Sequence, residues 1–65
     1  MNIAYVETFE SVNLEGLRDK INQFLADEKY SNIYDVADIK YNVVDVDGVA
    51  VSYIAMILCT IKENK

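Results

Sequence analysis

The stretch Val46-Asp47-Gly48-Val49 joins two apolar segments and decides how they pair. An Asp-Gly pair between valines is a strong signal for a β-hairpin. Both central residues of a type I′ turn need a positive φ, which Asp tolerates and Gly adopts freely. A two-residue turn at Asp47 and Gly48 fixes the register, so that the numbers of paired residues sum to 95. We therefore predict that Val46 faces Val49.

The strand before this turn, predicted over residues 36–46, alternates between apolar and polar side chains. Its apolar face carries Ala37, Ile39, Tyr41 and Val43, and its polar face carries Asp38, Lys40 and Asn42. The strand after the turn, predicted over residues 49–62, is apolar on both faces. Paired residues share a face of a sheet, so the register sorts this second strand into two rows. The row expected in the core holds Ser52, Ile54, Met56 and Leu58.

The other row of the second strand is expected to face away from the core. Its large apolar side chains are Val49, Val51, Tyr53, Ile57 and Ile61. An apolar patch of this size left in water is an aggregation hazard. We therefore predict that these five residues form the interface of a homodimer or a higher homo-oligomer.

The segment upstream of the hairpin predicts one strand and one helix. Residues 2–9 are rich in β-branched and aromatic residues, which is typical of a strand. The helix is predicted over residues 13–28, with Ser11 or Asn13 as its cap. Its apolar stripe is formed by Leu14, Leu17, Ile21, Phe24 and Leu25. The order of elements predicts a single α+β domain over 1–65, a β-α-β-β (split βαβ) unit with strand order 1-3-2 and one helix on one face.

Composition limits the classes of partner and the compartment. Eleven acidic and six basic residues give a net charge of −5, which argues against binding to nucleic acid or to an anionic membrane. The N-terminal residues lack the pattern of a signal peptide, so we expect a soluble protein of the bacterial host cytoplasm. A 65-residue core supplies little net stability, and a single cysteine forms no internal disulfide. Self-association is the remaining way to stabilise it.

Catalysis and metal binding lack their usual residues. The chain has no histidine, no Ser/His or Cys/His pair and no glycine-rich phosphate loop, so no catalytic residue and no enzyme activity are predicted. Asp45 and Asp47 resemble part of a calcium loop, but Val43 and Ile54 occupy two of its ligand positions. We therefore expect no metal and no cofactor.

A ligand site is predicted around Tyr53. In the predicted register Tyr53 faces Asn42 and lies next to Lys40, and Arg18 is a further available cation. An aromatic ring, an amide and a cation together suit a nucleotide-like ligand. The other interpretation is that Tyr53 packs in the subunit interface.

Three segments of the chain resemble a family of very short acidic proteins from spore-forming Gram-positive bacteria and their phages. The family is named for a small sporulation protein controlled by the sigma-E factor, and it has no established biochemical activity. The matching segments end the helix, open the second strand and lie in the last strand. Their residues are Ile21, Asn22, Phe24, Leu25, Asp38, Ile39, Lys40, Tyr41, Ala55, Met56 and Ile57.

Together these features predict a non-enzymatic, homo-oligomeric binding protein. Our first hypothesis is a phage-type anti-defence protein that sequesters a small nucleotide-like immune signal in pockets between subunits. It is an analogy in size and assembly, supported by the phage members of the family that the chain resembles. The alternative is an acidic protein-binding module or inhibitor of a host protein, or a structural protein of sporulation.

Overall fold

Three strands and one main helix build the fold of this chain. The computed structural model describes residues 2–48 and 50–63. The elements in chain order are strand β1 (Tyr5–Ser11), helix α1 (Leu14–Ala26), the short helix α2 (Glu28–Ser31), strand β2 (Tyr34–Val46) and strand β3 (Ala50–Ile61). β3 lies between β1 and β2 and is antiparallel to both. The predicted α+β class, the β-α-β-β arrangement and the strand order 1-3-2 are confirmed.

Helix α1 begins and ends at side chains that cap it. Asn13 is the N-cap, and its Oδ1 accepts the Gly16 N–H at 2.6 Å. A Cβ at Gly16 would overlap the Ser11 hydroxyl oxygen, so glycine lets β1 turn closely into the helix. The backbone of Asp27 is extended, which ends α1 there rather than at residue 28. The Asp27 carboxylate then accepts the Lys29 N–H at 3.0 Å and caps α2.

The register of the hairpin differs from the predicted one by one residue. Val46 pairs with Ala50, so the numbers of paired residues next to the turn sum to 96. Asp47 and Gly48 do have positive φ values, 60° and 66°, as an Asp-Gly turn requires. The predicted pairing of Val46 with Val49 is therefore wrong, and Val49 itself lies outside the described residues.

A second irregularity lies farther along the hairpin, at Ala37. Val36 pairs with Cys59 and Asp38 pairs with Leu58, so Ala37 forms a bulge without a partner of its own. The paired numbers change from 96 to 95 at this bulge. The predicted sum of 95 thus holds only for the end of the hairpin far from the loop.

A shift of one residue exchanges the two faces of a strand, and β3 shows this effect. Ala55, Ile57 and Cys59 lie beneath α1 and are fully buried. Their neighbours on β2 are Tyr41, Ile39 and Val36, and on β1 they are Phe9, Glu7 and Tyr5. We call this side of the sheet the helix face, and it also carries Val51, Tyr53 and Ile61.

The opposite side of the sheet, which we call the open face, carries the residues of β3 that were predicted to form the core. Ile54, Met56 and Leu58 lie there beside Asn42, Lys40 and Asp38 of β2. The expectation that this row receives the helix is wrong. The predicted outward row is wrong as well, because Ile57 is buried in the core and Val51, Tyr53 and Ile61 share its face.

Candidate functional site

The site predicted around Tyr53 is not assembled in the fold. Tyr53 pairs with Val43 on the helix face. Lys40 and Asn42 pair with Met56 and Ile54 on the open face, so the sheet separates their side chains from the Tyr53 ring. The one-residue shift of the hairpin is the physical reason. Of the four predicted ligand-binding residues, Lys40 and Asn42 therefore lie on the side of the sheet opposite to Tyr53 and Arg18.

Arg18 does line a cleft, but with different neighbours. The cleft has a volume of about 230 Å³ and lies between α1 and β2. The residues around it are Leu14, Leu17, Arg18, Ile21, Asn22 and Tyr41. It therefore combines an aromatic ring, an amide and a cation, which are the three groups that the sequence predicted at Tyr53, Asn42 and Lys40.

The spacing along α1 explains why these side chains meet. Residues four apart lie on the same side of a helix, so Arg18 and Asn22 form one row beside the row of Leu14, Ile21 and Leu25. α1 packs over β1 and β3 rather than over β2. This row therefore faces the uncovered part of the sheet, where Tyr41 stands.

The helix face of β2 is left largely uncovered by α1. Its apolar side chains are each between 43% and 54% exposed: Val36, Ile39, Tyr41 and Val43. A second, smaller cleft of about 40 Å³ lies near the carboxyl end of α1 and the start of β2. Its lining includes Leu25, Tyr34 and Val36. We call these two clefts, together with the exposed side chains of β2 beside them, the α1–β2 groove.

The charges near this groove leave the Arg18 guanidinium accessible. Its Nη2 lies 3.3 Å from an Asp19 carboxylate oxygen, and both side chains are mostly exposed. An exposed ion pair of this kind contributes at most about 1 kcal/mol, so Asp19 restrains the guanidinium only weakly. Lys20, on the other flank of α1, donates to the Glu10 carbonyl at 2.7 Å and holds the helix to β1.

An aromatic cluster fills the end of the core next to the smaller cleft. The Tyr5 ring stacks on Tyr34 with 5.1 Å between centroids, and it contacts Tyr30 and Phe24 in the same way. The Tyr5 hydroxyl donates to a Glu7 carboxylate oxygen at 3.0 Å. This hydrogen bond, with burial, raises the pKa of Tyr5 to about 12. Tyr30 and Tyr34 line the smaller cleft and support it by stacking.

The Cys59 thiol and the carboxylates are the remaining side chains with nucleophilic or metal-binding chemistry. Cys59 is fully buried, and burial raises the pKa of its thiol, which makes it a poor nucleophile. Within residues 2–48 and 50–63, no three carboxylate or thiol side chains come together as metal ligands do. The same residues contain no helix that is long and apolar enough to cross a membrane.

Sequence reasoning missed Tyr41 and Asn22 as companions of Arg18. The signal was present, because Tyr41 belongs to the apolar face that was expected beneath the helix. Arg18 and Asn22 lie one helical turn apart at the edge of the apolar stripe. Together, these two observations indicate that Tyr41 of the sheet lies next to the side of the helix that carries Arg18 and Asn22.

Comparison with known proteins gives no relative for this chain: no family model, no curated protein and no solved structure matches it. The resemblance to the sporulation-associated family therefore stays a prediction.

Proposed function

We propose that this protein is a non-enzymatic, homo-oligomeric binding protein that holds a nucleotide-like anion in the α1–β2 groove. The observation that carries this proposal is the meeting of Arg18, Asn22 and Tyr41 at one end of an exposed apolar depression. Small-molecule sites are typically apolar concavities with a few convergent polar groups. The groove has this composition.

Each of the three side chains suits one part of a nucleotide. The exposed Tyr41 ring offers a flat surface on which a base stacks. The Arg18 guanidinium donates two parallel hydrogen bonds to a phosphate. The Asn22 amide both donates and accepts, as recognition of a ribose hydroxyl or a base edge requires.

Binding without catalysis fits a role in sequestration. A phage-type protein that removes a nucleotide immune signal from the host cytoplasm needs affinity and abundance, and it needs no reactive group. The groove supplies stacking, charge and apolar contact, while its one nearby thiol, Cys59, is buried. The resemblance to a family with phage members supports the same setting.

A thermal-shift screen with cyclic and ADP-ribose-type nucleotides tests this proposal. A ligand at 100 times its dissociation constant stabilises the folded state by about 2.7 kcal/mol, which raises the melting temperature by roughly 10–20 °C. Arg18→Gln is expected to reduce the shift because it removes the phosphate donor. Lys20→Gln is the matched control, since it removes a cation from the same helix on the flank away from the groove.

Two results contradict the proposal. One is the absence of any shift with millimolar nucleotides. The other is an equal shift for Arg18→Gln and for the unchanged protein, which would place the ligand elsewhere.

A second candidate function is an acidic module that binds a basic surface of a host protein. The net charge of −5 favours it, and so does a cleft between β1 and α1 whose lining has three carboxylates, Glu7, Glu10 and Asp27, against one cation, Lys20. Salt screens attraction between exposed charges, so capture of a host protein should fall steeply between 0.05 and roughly 0.5 M salt. Salt-sensitive capture that Arg18→Gln leaves unchanged, without any nucleotide shift, supports this second function.

A further inference from the structure

Within residues 2–48 and 50–63, no strand pairs with the outer edge of β2. This strand is 13 residues long and forms an outer strand of the three-stranded sheet. An exposed edge of this length is a template for pairing with another strand. The same strand carries the uncovered apolar side chains of the α1–β2 groove, so its edge and its helix face both lack cover.

The backbone of β2 shows which of its amides point toward this free edge. The Ile39 N–H donates to the Asp38 carboxylate at 2.8 Å, and the Val43 N–H donates to the Asn42 side-chain oxygen at 2.9 Å. Amides that bond β3 would not need such local acceptors, because ladder hydrogen bonds satisfy them. Ile39 and Val43 therefore present their N–H groups to the edge, where an exposed side chain holds them in place.

We infer that a second copy of this chain pairs its β2 with this β2, antiparallel, about a two-fold axis through Ile39. This inference rests on the proposed function, because it names the partner that completes the α1–β2 groove. A two-fold axis perpendicular to the sheet reverses the strand direction and keeps each face on its own side. The result is a six-stranded sheet with both α1 helices on one face.

The charges on the open face of β2 favour this register. Asp38 and Lys40 are neighbours on that face, with Nζ 3.7 Å from the carboxylate, and both are exposed. An axis through Ile39 places each Asp38 opposite Lys40 of the other copy, giving two cross-strand ion pairs. An axis through Lys40 would place two lysines opposite each other, and like charges in that position are destabilising.

Pairing of this kind turns a one-sided groove into a two-sided one. α1 lies over β1 and β3, and strands are spaced by about 4.8 Å, so the two helix axes would lie roughly 20 Å apart. A helix with side chains is about 10 Å thick, which leaves a channel roughly 10 Å wide. Its floor is the apolar row of two β2 strands, and each wall supplies an Arg18.

Exchange of charges tests both the contact and its register. Asp38→Lys and Lys40→Asp each place like charges across the axis, and each is expected to weaken self-association by about ten-fold in sedimentation equilibrium. The double exchange, Asp38→Lys with Lys40→Asp, restores both opposite-charge pairs and should return the dissociation constant to within about three-fold of the original. Failure of the double exchange to restore association overturns the register.

Proline substitution at the two edges of the sheet tests which edge is used. Ile39→Pro removes the amide that faces the proposed partner and is expected to give a monomer. Thr8→Pro is the matched control at the β1 edge, where the Thr8 N–H likewise donates to a neighbouring side chain, Glu7. Thr8→Pro should remain a dimer. A dimer that persists in Ile39→Pro, or an unchanged protein that is monomeric at high micromolar concentration, overturns the inference.

These measurements separate this inference from the proposed function, because they are made without any ligand. A dimer that responds to the charge exchange while no nucleotide shifts the melting temperature supports the contact and rejects the ligand. A nucleotide shift in a protein that is monomeric throughout rejects the contact and keeps the site.

Discussion

The two faces of β3 differ in what covers them, although both carry apolar side chains. On the helix face, Ala55, Ile57 and Cys59 are fully buried beneath α1 and between the neighbouring strands. On the open face Met56 is 38% exposed, and Ile54 and Leu58 are half-buried by the neighbouring side chains of the sheet alone. The difference teaches that the apolar content of a strand does not identify its core side. The core side of a strand is determined by its register with the neighbouring strands.

The largest expected effect comes from shortening one side chain on each face. Ile57→Ala removes buried atoms from a fully enclosed site and is expected to lower the free energy of unfolding by about 2–5 kcal/mol. Met56→Ala is the matched variant on the open face and is expected to cost less than about 1 kcal/mol. Urea denaturation measures both. A larger cost for Met56→Ala would break the comparison and restore the register with the sum of 95.

The next effect concerns the first turn of α1, the helix that covers the helix face of the sheet. Alanine normally stabilises a helix relative to glycine by about 1 kcal/mol. At position 16 its Cβ would overlap the Ser11 hydroxyl, so Gly16→Ala is expected to destabilise the fold by about 1–3 kcal/mol instead.

Ser11→Ala supplies the control for this substitution, since it removes the overlapping oxygen. The cost of Gly16→Ala should fall when both changes are combined, and thermal unfolding of the four proteins measures this coupling. Equal costs with and without Ser11 would show that the close approach of β1 and α1 is not what requires glycine.

A smaller effect is expected from the buried polar group of the open face. The Ser52 hydroxyl donates to a Glu10 carboxylate oxygen at 2.8 Å and joins β3 to β1. Ser52→Ala removes this bond and is expected to cost about 0.5–1.5 kcal/mol in the free energy of unfolding. Thr8→Ala, exposed on the same face, is the control and should change stability by less than about 0.5 kcal/mol. Equal effects would mean that the Ser52–Glu10 bond adds nothing to the open face.

The smallest effect is confined to alkaline pH and belongs to the helix face. The hydrogen bond to Glu7 raises the pKa of Tyr5 to about 12, above the value of about 10 for an unfolded tyrosine. The folded state therefore keeps this proton longer, so its stabilising contribution is complete below about pH 10 and is lost as the pH rises to 12. The melting temperature of Tyr5→Phe should fall less over this interval than that of the unchanged protein.

Glu7→Gln gives an independent check, because it removes the carboxylate that holds the Tyr5 proton. It should weaken the alkaline loss of stability in the same direction as Tyr5→Phe. A loss of equal size in all three proteins would show that other tyrosines or lysines cause it.

The order of the elements followed from local sequence signals, and the pairing of the hairpin did not. The stripe of α1 and the alternation of β2 each depend on spacing within one segment, so they were visible in the chain. The register depends on which two residues form the last pair, and here an Asp-Gly with two positive φ values is flanked by the pair Val46 and Ala50. The bulge at Ala37 has no local signal either, since alanine there resembles any other strand residue.

Of the four residues in the predicted ligand site, only Arg18 is among those that line the two clefts of the groove. Arg18 was chosen as an available cation and does line the groove. Tyr53, Lys40 and Asn42 were chosen through the register, so the error of one residue put Lys40 and Asn42 on the face of the sheet opposite to Tyr53. A site that depends on cross-strand neighbours inherits every error in the pairing, whereas residues one helical turn apart do not.

The bulge at Ala37 also determines where this chain tolerates a change in length. Deleting one residue from a paired strand normally turns the side chains on one side of the deletion to the opposite face. Ala37 is an exception because Val36 and Asp38 already pair with the consecutive residues Cys59 and Leu58. A chain lacking Ala37 keeps every other pair of the hairpin, whereas a chain lacking Ile39 does not. Deletions and insertions among descendants of this sequence are therefore expected at Ala37 and in the loop.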